Sequence, residues 1–208
     1  MPPTGQEAGI DLGIEAFATL PDGTRILHPG WYRKAERALK TAQRRVSRRK
    51  KGSNRRRKAV EPLATTHLKV KRRRHDFHHE MALALAREND TIYHEDLQVR
   101  NTVQHHHRAK SIHDAGWSAF LTILTYKAAW AGRRVIVVNP AFTSQACSGC
   151  GVVVAKGLSV RWHTCPNCGA SLHRDQNAAL NILALGKQQS AIGQTAQAPT
   201  WPGRASVA

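Results

Sequence analysis

The stretch AGIDLGI, residues 8–14, places a single aspartate inside an otherwise strand-forming segment. Side chains alternate faces along a strand, so Ile10, Leu12 and Ile14 are predicted to point toward the core. Asp11 then points to the opposite face, where the flanking glycines leave room for a metal ion or a phosphate to approach. A solvated strand face with a turn-forming Asp-Leu-Gly is the alternative interpretation.

The charge of the chain indicates a polyanionic partner. Its 208 residues include 32 Lys and Arg against 14 Asp and Glu, a formal net charge of +18. Nucleic acid is the first candidate. An anionic membrane surface is the second, but neither a basic amphipathic helix with large apolar residues nor a lipidation motif is evident. With no signal peptide and no run of about 18 apolar residues, we expect a soluble cytoplasmic protein that binds no membrane.

Turn and helix signals divide the first half of the chain. Two short extended runs flank Pro21-Asp22-Gly23, which predicts a β-meander after the first strand. Periodic apolar residues then predict two antiparallel helices joined at Gly52-Ser53-Asn54. Pro62 is expected in the first turn of the second helix or just before it. Together these helices form a basic helical segment at residues 30–90.

The second half should add strands and helices to the same domain. We expect a strand at Thr91–Glu95, a capping box at Ser111–Asp114 and a strand buried on both faces at Val135–Val138. A last helix is predicted at Asp175–Leu185, and residues 187–208 are expected to be disordered.

Four cysteines form two C-x-x-C pairs, Cys147 with Cys150 and Cys165 with Cys168, separated by fourteen residues. Two such knuckles complete the tetrahedron that zinc prefers, and the glycine after each pair suits a turn with positive φ. A redox pair or incidental surface cysteines are the alternatives. The pattern predicts a zinc ribbon at 143–172 whose ion stabilises the fold, because protein fills all four positions.

A basic block runs from Arg33 to Arg74, with nineteen Lys or Arg and two acids, Glu36 and Glu61. On a helical hairpin this composition exposes a positive surface that can follow a phosphate backbone. A merely solvated helix pair is the alternative, but it needs interspersed acids to limit self-repulsion. The residues predicted to bind nucleic acid are Arg44, Arg45, Arg48, Arg49, Lys50, Lys51, Arg55, Arg56, Arg57, Lys58, Arg72 and Arg73.

Two further acids occupy element ends, since Glu95 ends a predicted strand and Asp175 begins the last helix. Surface charge and a helix N-cap are their plain alternatives. With Asp11 they supply the hard oxygen ligands by which a phosphodiesterase holds two Mg²⁺ or Mn²⁺ ions about 4 Å apart. The run His105-His106-His107 is a weaker metal candidate, because three consecutive side chains cannot all face one ion, and a polar loop is favoured.

These motifs resemble the C-terminal portion of TnpB-type (OrfB) proteins of insertion sequences, relatives of compact type V CRISPR effectors. The resemblance covers about residues 8–186. It is carried by GIDLG at 9–13, EDL at 95–97, FTSQACSGCG at 142–151, CPNCG at 165–169 and RDQNAALNI at 174–182. It implies an α/β domain at 8–186 with an RNase H-like (RuvC-like) mixed sheet, into which the basic helical hairpin and the zinc ribbon are inserted.

The resemblance also implies a transposon-associated, RNA-guided DNA endonuclease. Carried over by position, Asp11, Glu95 and Asp175 match the family's catalytic metal-binding triad for Mg²⁺ or Mn²⁺. DNA and a transposon-encoded guide RNA are the implied partners, beside a structural Zn²⁺.

Two departures from the family pattern bear on activity. His173 stands where the HDRD motif of the family has an acid, and about seven residues precede the first nuclease motif, where full-length members carry recognition domains. We therefore expect the N-terminal recognition half to be missing, with a full-length or N-terminal counterpart as a candidate partner. A non-catalytic nucleic-acid-binding remnant is the alternative. A DDE-type transposase is a third interpretation, which would need DNA-end recognition elements that the sequence does not display.

Overall fold

The computed structural model describes residues 1–97, 106–157 and 159–194, without the side chains of residues 106–109, 193 and 194. Within those ranges the strands are β1 (Glu7–Ile10), β2 (Ala18–Thr19), β3 (Arg25–Ile26), β4 (Thr91–Glu95), β5 (Arg134–Val138), β6 (Trp162–Thr164) and β7 (Ser171–His173). The helices there are α1 (Trp31–Ser47), α2 (Asn54–Glu88), α3 (His106–Ala115), α4 (Trp117–Trp130) and α5 (Arg174–Gln194).

A mixed sheet forms the centre of the molecule. Strands β1, β4 and β5 are parallel in that order, and β2 and β3 form an antiparallel hairpin. The hairpin joins the free edge of β1 through Asp11 and Thr19, whose N–H groups each donate to the other's carbonyl, at 3.1 and 2.8 Å. The combined order is therefore β3-β2-β1-β4-β5, and the predicted meander is confirmed.

Helices cover both faces of this sheet. Ile10 and Ile92 point to the face packed against α2 and α4, where Leu85 and Phe120 complete a buried cluster. The next residue along β4, Tyr93, points to the other face and packs against α5. This separation follows from the alternation of side chains along a strand, and it places Asp11 and Glu95 on the face that α5 covers.

Two glycines allow α5 to lie almost in backbone contact with the sheet. A Cβ built on Gly9 would lie 2.4 Å from the carbonyl oxygen of Ala179, and one on Gly186 would lie 2.1 Å from the ring of Tyr93. The space that the sequence suggested for a ligand beside Gly9 is thus filled by the helix. Ile14 also differs from the prediction, since β1 ends at Ile10 and the Ile14 side chain is exposed.

The predicted helical hairpin is present as α1 and α2, but the expectation for Pro62 was wrong. Helix α2 begins at Asn54, where the hydroxyl of Ser53 accepts the N–H of Arg56 at 3.2 Å as an N-cap. Pro62 therefore lies inside the helix. Its missing N–H leaves one carbonyl of the preceding turn without its intrahelical donor, a cost that an exposed position reduces.

The expected capping box at Ser111–Asp114 was also wrong, because both residues lie within α3. Asp114 is buried and instead accepts the N–H of Tyr32, in the first turn of α1, at 3.0 Å. The N-cap of α1 is Gly30, which has no side chain to offer. A carboxylate from a distant helix thus satisfies an amide that a local cap usually takes.

Two further boundaries differ from the sequence prediction. Strand β5 pairs with β4 alone in the described part of the sheet, and Val137 is exposed rather than buried on both faces. Helix α5 continues to Gln194, into the segment expected to be disordered, and Ser190 shares a hydrogen bond with the hydroxyl of Tyr93 at 3.1 Å. Residues 195–208 lie outside the described ranges. No helix in the described part of the chain has the length and hydropathy needed to span a membrane.

Candidate functional site

Three carboxylates from distant parts of the sequence meet at one edge of the sheet. Ile10 of β1 pairs with His94 of β4, so the next residues, Asp11 and Glu95, are neighbours at the carboxyl ends of parallel strands. Asp175 lies in the first turn of α5, the helix on the same face. The fold therefore brings together the three acids that the sequence singled out.

The electrostatics of Asp11 reflect this convergence. Its pKa is raised to about 8, first by burial and then by the charges of Glu95 and Asp175, while Arg174 acts in the opposite direction. Burial and like charge both disfavour the ionised form of a carboxyl group. A divalent cation would relieve both effects, so the arrangement is suited to binding metal.

Glu95 is held in place by a side chain that sequence reasoning missed. The buried hydroxyl of Thr143 donates a hydrogen bond to Oε1 of Glu95, and this bond opposes the rise that burial causes in the pKa of Glu95. Thr143 belongs to a turn that follows β5, and only its place in the FTSQ segment could have drawn attention to it.

The three carboxylates are spread more widely than the ligands of a single ion. In the described ranges, the groups of three or more ligand atoms within 4.8 Å of one another are the four cysteines and the set Glu15, His173 and Asp175. A pair of ions about 4 Å apart needs a site of larger extent than a single ion does.

The four cysteines form a compact cluster at the ends of two tight turns. The Sγ atoms of Cys147 and Cys168 are 3.6 Å apart, as are those of Cys150 and Cys165. This separation rules out disulfides, whose sulfurs lie about 2.05 Å apart. It is close to the edge of about 3.8 Å that a tetrahedron with 2.3 Å metal–sulfur bonds has. The donor set and its spacing fit zinc.

The backbone of each knuckle has the geometry that the glycines predicted. Gly151 and Gly169 have φ of 77° and 73°, a region that favours glycine. Their N–H groups donate to the carbonyls of Cys147 and Cys165, at 2.8 and 3.0 Å. These bonds close the two turns that present the sulfurs.

Two asparagines of α5 fasten the first knuckle to the helix that carries Asp175. The buried Asn177 accepts the N–H of Ser148 at 2.9 Å and donates to the carbonyl of Ala146 at 2.7 Å. Asn181 donates to the carbonyls of Ala146 and Thr143, at 2.8 and 2.7 Å. We call Asn177 and Asn181 the asparagine clamp. The sequence signal for the clamp is a pair of asparagines four residues apart, in and beside the largely apolar stretch 178–185.

The residues predicted to bind nucleic acid lie on α1, on α2 and in the turn between them. Arg44, Arg45, Arg48 and Arg49 line an open cleft of about 460 Å³ on α1 together with Thr41. These arginines are exposed, as are the following residues: Lys50, Lys51, Arg55, Arg57, Lys58, Arg72 and Arg73. We call this set the basic surface.

Arg56 has a structural contact that sets it apart from its neighbours. It is half-buried, and its guanidinium donates to the carbonyls of Val46 and Arg49 at the end of α1, at 2.9 and 3.3 Å. Satisfying terminal carbonyls is a common use of a basic residue at a helix C-terminus. The His105-His106-His107 candidate lies outside the described side chains.

Two family models match the chain. The model described as "Probable transposase", of the OrfB group from IS605-type elements, matches residues 1–106. The model described as "Cas12f1-like, TNB domain" matches residues 117–182. The first match contains Asp11, the basic surface and Glu95, and the second contains the cysteines and Asp175.

Two bacterial relatives are similar along nearly the whole chain. A Streptomyces pristinaespiralis protein is 44% identical over 194 residues, which is 92% of this chain and 48% of that protein. InsQ of Escherichia coli is 34% identical over 211 residues, which is 94% of this chain and 52% of InsQ. Both relatives carry names that describe them as inferred RNA-guided DNA endonucleases. The chain thus spans about half the length of the curated relatives it matches.

Solved structures share the fold at low sequence identity. The Cas12f1 protein in a complex with single guide RNA and target DNA aligns with a TM-score of 0.61 and 17% identity, over 88% of this chain and 50% of that one. A CRISPR-Cas12f ternary complex aligns with a TM-score of 0.62 and 19% identity, over 85% and 38%. This likeness agrees with the mixed α/β architecture and its parallel strands.

Proposed function

The chain belongs to the OrfB family of IS605-type transposase proteins, and from that premise we propose that it is the nuclease portion of an RNA-guided DNA endonuclease. The family that the sequence motifs indicated is therefore confirmed. The strand order and the comparison with Cas12f support an RNase H-like (RuvC-like) fold for residues 8–186. Because the chain covers about half of its curated relatives, the activity and partners of the whole protein are carried over here as proposals.

The meeting of three acids at one sheet edge carries the proposal. Asp11 interacts electrostatically with both of the other acids, since the charges of Glu95 and Asp175 each raise its pKa. Asp11, Glu95 and Asp175 would together hold the divalent ions. Mg²⁺ or Mn²⁺ held there would lower the pKa of a bound water and stabilise the leaving oxygen. Thr143 holds Glu95 in one orientation, which preorganises its carboxylate.

The cysteine cluster supports a structural zinc ion. Its four thiolates fill the tetrahedral positions, so a substrate has no place on that ion. The asparagine clamp connects the first knuckle to α5, which also presents Asp175. Zinc at the cysteines would thus stabilise the segment that supports the acidic site.

The basic surface supports binding to the phosphate backbone of DNA or of a guide RNA. Its exposed guanidinium and ammonium groups lie along the hairpin with few acids among them. Glu36, one of the two acids, is already paired with Lys40 at 3.0 Å and Lys110 at 2.8 Å. The remaining positive charge is free to attract polyanions, without sequence preference of its own.

A cleavage assay on single-stranded DNA with Mn²⁺ tests the proposed nuclease. We expect metal-dependent hydrolysis that is weak without an added guide. Asp11→Ala and Asp175→Ala should each lower it at least about 100-fold, since even outer-shell changes at metal sites cost 10–100-fold. Asp96→Ala is the matched control, because Asp96 is an exposed acid directly after Glu95.

Cleavage that survives both triad substitutions would reject the acidic site as its source. If the wild type binds DNA but does not cut it, even with the N-terminal half of a family member and its RNA supplied, the binding-only interpretation replaces the nuclease.

A further inference from the structure

A second set of ligand-type side chains lies beside the acidic site and shares one residue with it. Glu15, His173 and Asp175 each place one ligand atom within 4.8 Å of the other two. They come from three segments: the loop between β1 and β2, the end of β7 and the first turn of α5. The fold therefore brings Glu15 next to His173 and Asp175, which lie two residues apart where β7 meets α5.

The imidazole of His173 is held at this position from two sides. Its ring packs edge-on against Trp162, its partner across β6 and β7, with ring centres 5.9 Å apart. Its Nδ1 lies 3.8 Å from Oδ2 of Asp175 and accepts the N–H of Asp175 at 3.2 Å, a hydrogen bond that a metal ion bound at Nδ1 would replace. The side chain remains 21% exposed, so the ring is fixed in place but reachable from solvent.

The carboxylate of Glu15 has positions left for a further ligand. Arg25 donates to Oε1 at 2.6 Å, and Nε of Arg161 lies 3.1 Å from Oε2. Each carboxylate oxygen has two lone pairs, so one guanidinium on each oxygen leaves further positions for a cation. The two arginines also balance part of the negative charge when no cation is present.

The mixture of ligand atoms decides which cation fits. Mg²⁺ takes oxygen ligands almost alone and gives up its waters reluctantly, whereas imidazole nitrogen is a good ligand for first-row transition ions. We propose that Glu15, His173 and Asp175 form a binding site for a divalent transition-metal ion, which gives the Asp175 side of the acidic site a preference for Mn²⁺-type ions over Mg²⁺. The biological role of this metal site depends on the proposed nuclease. Metal binding itself can be measured whether or not the protein cleaves DNA.

Mn²⁺ is a direct probe of this site. Titration of the metal-depleted acidic site, with zinc left at the cysteines, should show tighter binding of Mn²⁺ than of Mg²⁺ by electron paramagnetic resonance and competition. The pulsed spectrum of bound Mn²⁺ should carry ¹⁴N modulation from a directly bound imidazole. In His173→Gln the modulation should vanish, and the affinity for Mn²⁺ should fall at least about tenfold, the minimum expected for a perturbed metal site.

Control variants distinguish this metal-site proposal from the proposed nuclease function. His113→Gln removes an exposed histidine on α3 and should leave both readouts unchanged. His173→Asp should keep a metal site but bring the affinities for Mn²⁺ and Mg²⁺ closer together. Equal Mn²⁺-to-Mg²⁺ affinity ratios in the wild type and His173→Gln, or wild-type Mn²⁺ without ¹⁴N modulation, would overturn the proposal. Absence of DNA cleavage would instead bear on the proposed function and leave these binding results readable.

Discussion

At the scale of single residues, Asp11 carries the largest electrostatic cost in the proposed site. Its pKa is 3.8 when unperturbed and about 8 in the folded chain, mainly because of burial. Between those two values the folded chain binds more protons than the unfolded chain. The free energy of unfolding therefore falls as the pH rises from about 4 to about 8. The ionised site therefore destabilises the folded chain unless a cation occupies it.

Asp11→Asn removes the buried carboxyl group and with it the loss of stability between about pH 4 and about pH 8. In protein whose acidic site is metal-free, the variant should melt at a higher temperature than the wild type at pH 8, and the two should converge toward pH 4. Added Mn²⁺ should raise the melting temperature of the wild type more than that of the variant. Thermal unfolding followed by circular dichroism measures both effects. The control variant Asp96→Asn should show the same pH dependence of melting temperature as the wild type. If the melting temperature of Asp11→Asn also changed with pH in parallel with the wild type, the raised pKa of Asp11 would be contradicted.

Residue-level prediction succeeded where one local rule governs the position. Strand alternation placed Asp11 opposite the core, and the spacing of Cys147 and Cys150 identified a knuckle. It failed where a distant partner decides, as at Asp114, which caps a helix some eighty residues away in sequence. Pro62 is a third kind of case, because tertiary packing of a long helix overrides the local penalty for proline.

At the scale of secondary-structure elements, α5 organises both candidate sites. Its first turn presents Asp175, its asparagine clamp holds the first cysteine knuckle, and its backbone lies against Gly9. The sequence predicted a helix here but not its length, because the composition after 187 resembles a linker. Contact between Ser190 and Tyr93 adds to the packing that extends the helix.

Removing the asparagine clamp should loosen the knuckle. Asn177→Ala leaves the N–H of Ser148 without its partner, which should lower the free energy of unfolding by about 1 to 3 kcal/mol. Hydrogen exchange at the Ser148 amide should accelerate in parallel, and chemical denaturation gives the stability. Gln188→Ala changes an exposed position of the same helix and should cost little. Unchanged exchange at Ser148 would show that the clamp does not protect the turn.

Zinc content tests the cysteine knuckles directly. We expect one zinc per chain in the purified protein and none in Cys150→Ser, because structural zinc contributes roughly 10 kcal/mol or more of apparent binding energy coupled to local folding. Elemental analysis gives the ratio. Ser148→Ala, in the same turn, keeps all four sulfurs and should retain the metal. Full zinc in Cys150→Ser would reject the tetrahedral site.

At the scale of the whole molecule, charge is distributed unevenly. The basic surface occupies the helical hairpin, while the three carboxylates lie at the carboxyl ends of β1 and β4 and in the first turn of α5. The mixed α/β class with parallel strands was predictable from sequence, because motifs of fixed order mark its strands. The edge position of β5 was not, since an apolar run such as Val135–Val138 has the same composition whether it is buried or half-exposed.

The salt dependence of binding reports on the basic surface. If it contacts about 6 to 10 phosphates, affinity for DNA should fall about 10³- to 10⁵-fold between 50 and 200 mM salt. Reversing Arg55, Arg57 and Lys58 to Glu should flatten that slope, whereas Arg56 is left intact because it caps α1. The control variant reverses Arg87, Lys127 and Lys187 to Glu, which changes the net charge of the chain by the same amount. Equal slopes for both triple variants would place the contact elsewhere.

The contact between Gly9 and α5 has a consequence for how the protein is made. Asp11 leaves the ribosome 164 residues before Asp175. At about 5–20 residues per second, that interval lasts on the order of 10 to 30 s. Until α5 emerges, one face of the sheet stays uncovered and the acidic site lacks its third carboxylate. A nascent or prematurely released chain can therefore expose its basic hairpin before the three carboxylates are brought together.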